Sequence, residues 1–187
     1  ELEQFQEVAN KIVAAGDTNW AKAIYIKALR KAEEAEISCF QNANKFFKAD
    51  REVVLTAVKK WGPVLEYVDK KFKSDREILL ATKPYLAPAL DYADKSFLKD
   101  KKIIIAAIKQ SQIGETRHVL ERLDKSMQKD KDIVVPAIKK DGRALEHADK
   151  SFKKDKKIVK VAIKQNARAL EYADKKLKGD KKIVLEA

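Results

Sequence analysis

Residues 50–74 read DREVVLTAVKKWGPVLEYVDKKFKS, and variants of the same pattern follow one another to the end of the chain. The residues that open them are Asp50, Asp75, Asp100, Asp130, Asp155 and Asp180. Successive openings lie 25 residues apart, except for the 30 residues between Asp100 and Asp130. A fixed period of this length indicates a repeat array. It divides the chain into residues 1–49, the repeats 50–74, 75–99, 100–129, 130–154 and 155–179, and a partial repeat at 180–187.

Each repeat predicts two helices. The opening Asp is suited to cap the first helix, whose apolar pairs at 53–54 and 57–58 follow the 3.6-residue period. Gly62, and Gly142 at the same place in its repeat, predict a left-handed residue at the end of this helix. A second helix carries Leu65, Val68 and Phe72. Helices of about ten residues are too short to be stable alone. We therefore expect an all-α protein, an α-solenoid of stacked two-helix repeats.

Two repeats depart from the pattern. Pro136 falls inside the first helix of its repeat, where it should bend or shorten that helix. Residues 111–119, SQIGETRHV, contain the five extra residues of the 30-residue repeat and are called the inserted segment below. This segment predicts either a loop that carries a site or a helix one turn longer with a plain loop.

Residues 2–35 predict a helical hairpin, because two stripes of apolar residues at helical spacing are separated by a break at residues 16–18. The order GDxxxAxxxYxxAL, from Gly16 to Leu29, resembles the second half of a tetratricopeptide repeat. One such hairpin cannot bury its own apolar face. The resemblance therefore implies that residues 1–49 form a helical cap on the array.

The repeats themselves resemble a known family. DKKIV at 155–159 and ALEYAD at 169–174 match most clearly the repeat pattern of domain of unknown function 4116. Residues 50–187 follow that pattern nearly throughout. The resemblance implies a modular helical fold and carries no defined activity.

The positive charge lies in the repeats. Residues 1–49 hold seven basic and seven acidic residues, whereas the repeats hold 34 basic and 22 acidic residues and thus the whole net charge of +12. Only six of these basic residues are Arg, the residue best suited to bidentate phosphate recognition. We expect solubility and electrostatic steering of an acidic partner. Binding of nucleic acid or of an anionic lipid surface through the lysines is the alternative.

Two sets of residues are candidates for partner binding. One set recurs at the same place in successive repeats and could form a strip on a shared face, although these side chains could equally pack between repeats: Tyr67, Tyr92, Arg122, His147 and Tyr172. The other set, Glu115, Arg117 and His118, lies in the inserted segment.

A recurring acidic pair, Glu66 and Asp69 in the first repeat, could bind a cation or act in acid–base chemistry. Lys70 follows Glu66 at the spacing that favours an ion pair along an exposed helix. Because the arrangement is repeated five times, we interpret it as a ladder of such ion pairs rather than as a catalytic site.

No nucleophile, phosphate-binding or metalloprotease motif occurs, and neither histidine has a Cys nearby in the sequence. We expect neither catalysis nor a metal or cofactor. The expected function is that of a monomeric scaffold for a protein partner. The single cysteine, Cys39, fits a reducing compartment such as the cytoplasm. The ends at Glu1 and within a repeat predict a fragment, so secretion, or a role as an accessory region of a larger enzyme or secreted effector, is a further alternative.

Overall fold

The computed structural model describes residues 2–33 and 38–185, so the last two residues of the predicted hairpin and of the partial repeat lie outside the described part. The α-helices are α1 (Leu2–Ala14), α2 (Thr18–Lys31), α3 (Lys45–Lys48), α4 (Arg51–Lys60), α5 (Lys70–Lys73), α6 (Arg76–Ala81), α7 (Leu86–Ala89), α8 (Lys101–Gln110), α9 (Glu115–Glu121), α10 (Lys131–Lys140), α11 (Lys150–Lys154), α12 (Lys156–Gln165), α13 (Lys175–Lys178) and α14 (Lys181–Val184). The 3-10 helices are Ser38–Asn42, Gly62–Glu66, Lys95–Lys99, Met127–Lys129, Gly142–His147 and Ala167–Tyr172. No strand occurs in these ranges, and the predicted all-α class is confirmed.

The chain forms two compact units, an N-terminal unit (Glu1–Asp94) and a C-terminal unit (Lys95–Ala187). In the N-terminal unit, α4 packs against both α2 and α6. In the C-terminal unit, α10 packs against α8 on one side and α12 on the other. The first helices of consecutive repeats therefore lie side by side within each unit, and this contact buries the apolar pairs that the period predicts.

The first helix of each repeat begins as predicted. The Asp50 carboxylate accepts hydrogen bonds from the backbone N–H groups of Glu52 at 3.0 Å and Val53 at 3.1 Å. Asp75 and Asp155 cap α6 and α12 in the same way. Each cap satisfies donors of the first turn that have no partner within the helix.

Replacing Asp155 with Ala should lower the free energy of unfolding by about 1 kcal/mol, because the cap of α12 is lost. Asp155→Asn keeps the accepting oxygen and should cost little. Urea unfolding followed by circular dichroism measures both changes. Equal losses in the two variants would contradict the role of the side chain as a cap.

The second half of the repeat is not the single α-helix that the sequence predicts. In the first repeat it consists of the 3-10 helix Gly62–Glu66 and the short helix α5. The Asp69 carboxylate accepts from the N–H of Lys71, so Asp69 is the N-cap that starts α5. The Asp69 N–H donates to the carbonyl of Lys48, the last residue of α3, at 2.9 Å. The ladder interpretation is wrong here, since Glu66 and Lys70 do not share a continuous helix.

The same break recurs in later repeats. Asp149 caps α11 and Asp174 caps α13, and their N–H groups donate to Gln128 and Lys153 of the preceding repeat. Asp is well suited to both tasks, because a short carboxylate accepts from the first turn of a helix while its own N–H stays available. This Asp therefore joins two repeats through its backbone.

The prediction of a left-handed residue at Gly62 and Gly142 is wrong. Among the described residues, positive φ angles occur only at Gly16 and Gly114. At Gly142, an added Cβ would lie 2.1 Å from the carbonyl oxygen of Ala162, and at Gly62 it would lie 2.7 Å from the Cβ of Tyr85. Glycine is needed at these positions because the next repeat approaches the backbone closely.

Pro136 does not shorten its helix. Helix α10 has ten residues, as have α4, α8 and α12. The missing N–H of Pro136 leaves the carbonyl of Asp132 without its usual partner. Asp132 is exposed, so water can satisfy this carbonyl.

The hairpin α1–α2 packs on the first repeat through the contact of α2 with α4. Within residues 1–49, Tyr25 is fully buried and stacks on Phe47 of α3, with the ring centroids 4.3 Å apart. Lys22 forms an ion pair with Asp50 at 2.9 Å, which connects the hairpin to the start of α4. Kinship of the hairpin with tetratricopeptide repeats stays a prediction.

Candidate functional site

The inserted segment lies in the C-terminal unit and forms a connection followed by α9. At this place the repeats that follow have a 3-10 helix, whereas α9 is an α-helix of seven residues. The Ser111 hydroxyl lies 2.7 Å from the Thr116 hydroxyl and donates to the carbonyl of Ile108. The Glu115 carboxylate accepts from the N–H of Gln112 at 2.7 Å. Glu115, a predicted site residue, therefore stabilises the connection through this hydrogen bond.

A buried carboxylate from the next repeat holds the tip of this connection. One oxygen of Asp141 accepts from the Gly114 N–H at 3.1 Å. Its other oxygen accepts from the N–H and the guanidinium of Arg143, at 3.0 Å and 3.3 Å. Hydrogen bonds to a buried charge of this kind contribute strongly to local order. The tip is thus held in place by two adjacent repeats.

The tip presents an apolar side chain beside a positive charge. Ile113 is 76% exposed, more than any other large hydrophobic residue of the described part except Leu185. A Cβ built on the neighbouring Gly114 would lie 3.8 Å from the guanidinium of Arg143. The residue that follows Ile113 therefore lies close to the guanidinium of Arg143.

Three predicted site residues, Arg117, His118 and His147, come together beside this tip with two carboxylates. The guanidinium of Arg117 lies 3.4 Å from the Glu146 carboxylate, which also lies 3.7 Å from the imidazole of His147. The imidazole of His118 lies 3.2 Å from the Glu121 carboxylate. This proximity to His118 is the main cause that lowers the pKa of Glu121. We call Ile113, Arg117, His118, Arg143 and His147 the insertion surface.

Burial lowers the pKa of His147 and outweighs the opposing effect of the Glu146 and Glu121 carboxylates, while Arg117 and Lys153 lower it further. Between this lowered pKa and the ordinary value of 6.5, the unfolded chain binds more protons than the folded one. The contribution to stability is therefore present above pH 6.5 and is lost as the pH falls below it.

The free energy of unfolding should accordingly decrease between pH 7 and pH 5.5. His147→Tyr introduces the residue found at this place in other repeats and should reduce that decrease, because tyrosine does not titrate in this range. Urea unfolding at several pH values measures the effect, with His118→Gln as a control that should keep the decrease. A variant profile as steep as the parent profile would contradict the assignment to His147.

The structure divides the predicted strip between the two compact units. Tyr67 and Tyr92 are half-buried in the N-terminal unit, and the Glu66 carboxylate, with a smaller effect of Tyr92, raises the pKa of Tyr67. Arg122 and Tyr172 are half-buried in the C-terminal unit, where burial lowers the pKa of Arg122. Of the strip, only His147 joins the insertion surface.

Several basic residues have structural roles in the fold. The ammonium groups of Lys48, Lys73 and Lys153 donate to backbone carbonyls seven residues earlier, at 2.6 to 2.7 Å. Burial lowers the pKa of Lys48 and Lys153. These contacts satisfy carbonyls where the chain turns between short helices.

A second set of basic residues joins consecutive repeats. The residue after the opening Asp of one repeat pairs with the opening Asp of the next, as in Arg51–Asp75, Lys101–Asp130 and Lys156–Asp180, at 2.6 to 3.2 Å. The excess of lysine is therefore in part a structural feature of the array.

Sequence reasoning missed Ile113, Asp141 and Arg143. The quoted segment SQIGETRHV contains Ile113, and an apolar residue directly before a Gly in a polar connection is the signal that indicates it. Asp141 gives no such signal, since Trp61 and Asn166 occupy the same place in other repeats.

Residues 2–33 and 38–185 contain no group of three or more His, Cys, Asp or Glu side chains placed to hold a metal ion. No helix in that part of the chain combines the length and the apolar character needed to cross a bilayer.

Comparison with known proteins identifies one family. The family model described as Domain of unknown function (DUF4116) matches residues 37–82, 115–153, 130–178 and 155–187. These overlapping matches cover more than half of the chain and show tandem copies of the repeat, which confirms the resemblance read from the sequence. No curated protein and no solved structure matches the chain.

Proposed function

The chain belongs to the DUF4116 family, whose description names no activity, and we propose that it is a non-catalytic scaffold that binds an acidic segment of a partner protein. In this proposal the stacked repeats form an α-solenoid, and the insertion surface is the docking site. The observation that carries the proposal is the exposed Ile113 beside Arg143 on a connection held by buried Asp141.

The chemistry of this surface fits an acidic segment with an apolar anchor. Arg117 and Arg143 pair with Glu146 and Asp141, and each guanidinium has further N–H groups that can donate to the carboxylates of a partner. Ile113 offers apolar area that water covers in the free protein. Because two repeats hold the tip in one conformation, little ordering cost is added on binding. Partner recognition commonly depends on a few such anchors surrounded by polar contacts.

The distribution of charge supports a local site over a uniform basic surface. Lys48, Lys73 and Lys153 donate to carbonyls, and Lys101 and Lys156 pair with aspartates of the next repeat. Lysines held in this way neutralise groups of the protein itself. Arg117 and Arg143 are partly exposed, and the apolar Ile113 belongs to the same surface. A generic anion needs only positive charge for binding and has no use for the apolar residue.

A labelled 12-residue peptide with a central Leu-Phe pair flanked by Asp and Glu tests the proposal by fluorescence anisotropy at physiological salt. Ile113→Ser and Arg117→Gln should each weaken binding about tenfold, equivalent to about 1.4 kcal/mol. Leu185→Ser and Lys182→Gln are the controls, because both residues are exposed in the same unit and lie in the partial repeat 180–187, which begins two repeats after Asp130. These controls should leave the affinity unchanged.

Nucleic-acid or anionic-lipid binding predicts a different result. A DNA duplex or phosphatidylserine vesicles would bind more tightly than the peptide, with an affinity that falls steeply as salt is raised. Ile113→Ser would not change that affinity. This outcome would replace the proposed partner with a polyanion.

A further inference from the structure

The hairpin α1–α2 carries an apolar groove that the described part of the chain does not fill. The groove has a volume of about 330 Å³ and lies between the two helices, with Phe5 and Val8 on one side and Ile24 on the other. Phe5 is 46% exposed and Val8 is 48% exposed. Tyr25 and Leu29, which lie on another face of α2, are fully buried, and α2 packs against α4. The hairpin therefore has two apolar faces, and the described part of the chain covers only one of them.

The exposed face extends beyond the groove itself. Trp20 is 57% exposed and lies four residues before Ile24 on α2, so both side chains are on one face of the helix. Phe5 and Val8 are likewise about one turn apart on α1, so their side chains share one face of that helix. Exposed apolar side chains clustered on the faces of neighbouring helices are typical of interaction surfaces.

The charges that line the groove all have one sign. Lys27 and Lys31 line it and lie one turn apart near the end of α2. In the described part of the chain, no carboxylate lines this groove. An occupant that complements the groove therefore needs apolar side chains for its floor and carboxylates for its rim.

We propose that the α1–α2 groove binds an amphipathic helix of a partner protein that carries apolar residues on one face and Asp or Glu beside them. A groove between two antiparallel helices accepts a third helix whose anchors follow the i, i+3, i+4, i+7 spacing. The carboxylates of that helix pair with Lys27 and Lys31. This site is separate from the insertion surface and does not depend on the function proposed for it.

A second copy of the chain fits the groove less well. In a symmetric pair, the two copies would bring their Lys27 and Lys31 side chains together, and like charges at that distance oppose association. Charge complementarity therefore favours a partner with acidic residues over self-association.

The test uses the full chain and three synthetic 16-residue peptides, with binding measured by fluorescence anisotropy. The first has Leu at the i, i+3, i+4, i+7 positions and Glu beside them, the second has Lys in place of Glu, and the third is the first with two central residues other than Leu and Glu replaced by proline. Only the first should bind well. Phe5→Ser and Val8→Ser should each weaken its binding at least tenfold, and both positions are exposed enough for the fold to persist.

Charge reversal distinguishes the groove from its surroundings. Lys27→Glu with Lys31→Glu should weaken binding of the Glu peptide at least tenfold and improve binding of the Lys peptide. Lys59→Glu with Lys70→Glu changes the net charge equally at exposed positions outside the groove and should have little effect. Ile113→Ser should also leave this binding unchanged, which separates the result from the test of the insertion surface.

Several outcomes would overturn the proposal. Equal binding of the helical and proline-containing peptides would remove the requirement for a helix. A dimer that sedimentation detects and Phe5→Ser dissolves would identify a second copy as the occupant. Binding to phosphatidylserine vesicles that Phe5→Ser abolishes, without binding of the Glu peptide, would identify a membrane surface.

Discussion

Gly142→Ala is expected to lower the free energy of unfolding by about 3 kcal/mol, at the upper end of the usual cost of overpacking. The new Cβ would stand 2.1 Å from the carbonyl oxygen and 2.9 Å from the carbonyl carbon of Ala162. Both atoms belong to the backbone of α12, so no side chain can rotate away to make room. The repeats 130–154 and 155–179 would have to separate, which would expose the apolar pairs buried between α10 and α12.

Urea unfolding followed by circular dichroism measures this loss, and amide hydrogen exchange in α10 and α12 locates it. Gly179→Ala is the matched control, because an added Cβ there would have its nearest neighbour at an ordinary 3.8 Å. Gly179 also has a negative φ of −91°, which alanine adopts without strain. Equal stability of the two variants would contradict the close approach as the reason for glycine at position 142.

Phe47→Ala should lower the free energy of unfolding of the N-terminal unit by about 3–5 kcal/mol, as is typical when a fully buried aromatic ring is deleted. Phe47 has no exposed surface and stacks on Tyr25 of the hairpin, so its loss removes packing on both sides of that contact. Trp61, at the end of α4, gives a fluorescence signal for unfolding in this unit.

Phe46→Ala provides the comparison, since Phe46 is the neighbouring residue of the same type but is only half-buried. It should cost clearly less than Phe47→Ala. If both substitutions cost the same small amount, the hairpin would not share a core with α3.

Local chemistry explains which parts of the fold could be predicted. The opening aspartates were identified correctly as caps because the carboxylate and the helix start lie next to each other in the sequence. The division of the second helix into a 3-10 helix and a short α-helix was not predicted, because the sequence around Asp69 is compatible with two roles for this residue: an exposed position within a helix, or a helix cap. Its backbone bond to Lys48 decides between them, and that bond joins residues 21 positions apart.

The candidate site was predicted only in part, for a related reason. Arg117 lies in α9 of the enlarged repeat and His147 lies in the 3-10 helix Gly142–His147 of the next repeat, and these two elements pack against each other. The stacking of consecutive repeats, which the period predicts, thus accounts for their meeting. Ile113 lies in the inserted segment, which occurs once in the chain, so no second copy of the segment indicates the surroundings of this residue. Asp141 of the next repeat accepts a hydrogen bond from the neighbouring Gly114, and only the fold brings Asp141 and the inserted segment together.

Chemical-shift mapping of the acidic Leu-Phe peptide on the isotope-labelled full chain tests the proposed function most directly. A local site predicts that the largest amide shifts fall in residues 112–118 and 141–147 and disappear in the Ile113→Ser variant at physiological salt. A generic basic surface predicts small shifts spread over the lysine-rich turns of every repeat, unchanged by Ile113→Ser and lost as salt is raised. The second pattern would contradict the assignment of the insertion surface as the docking site.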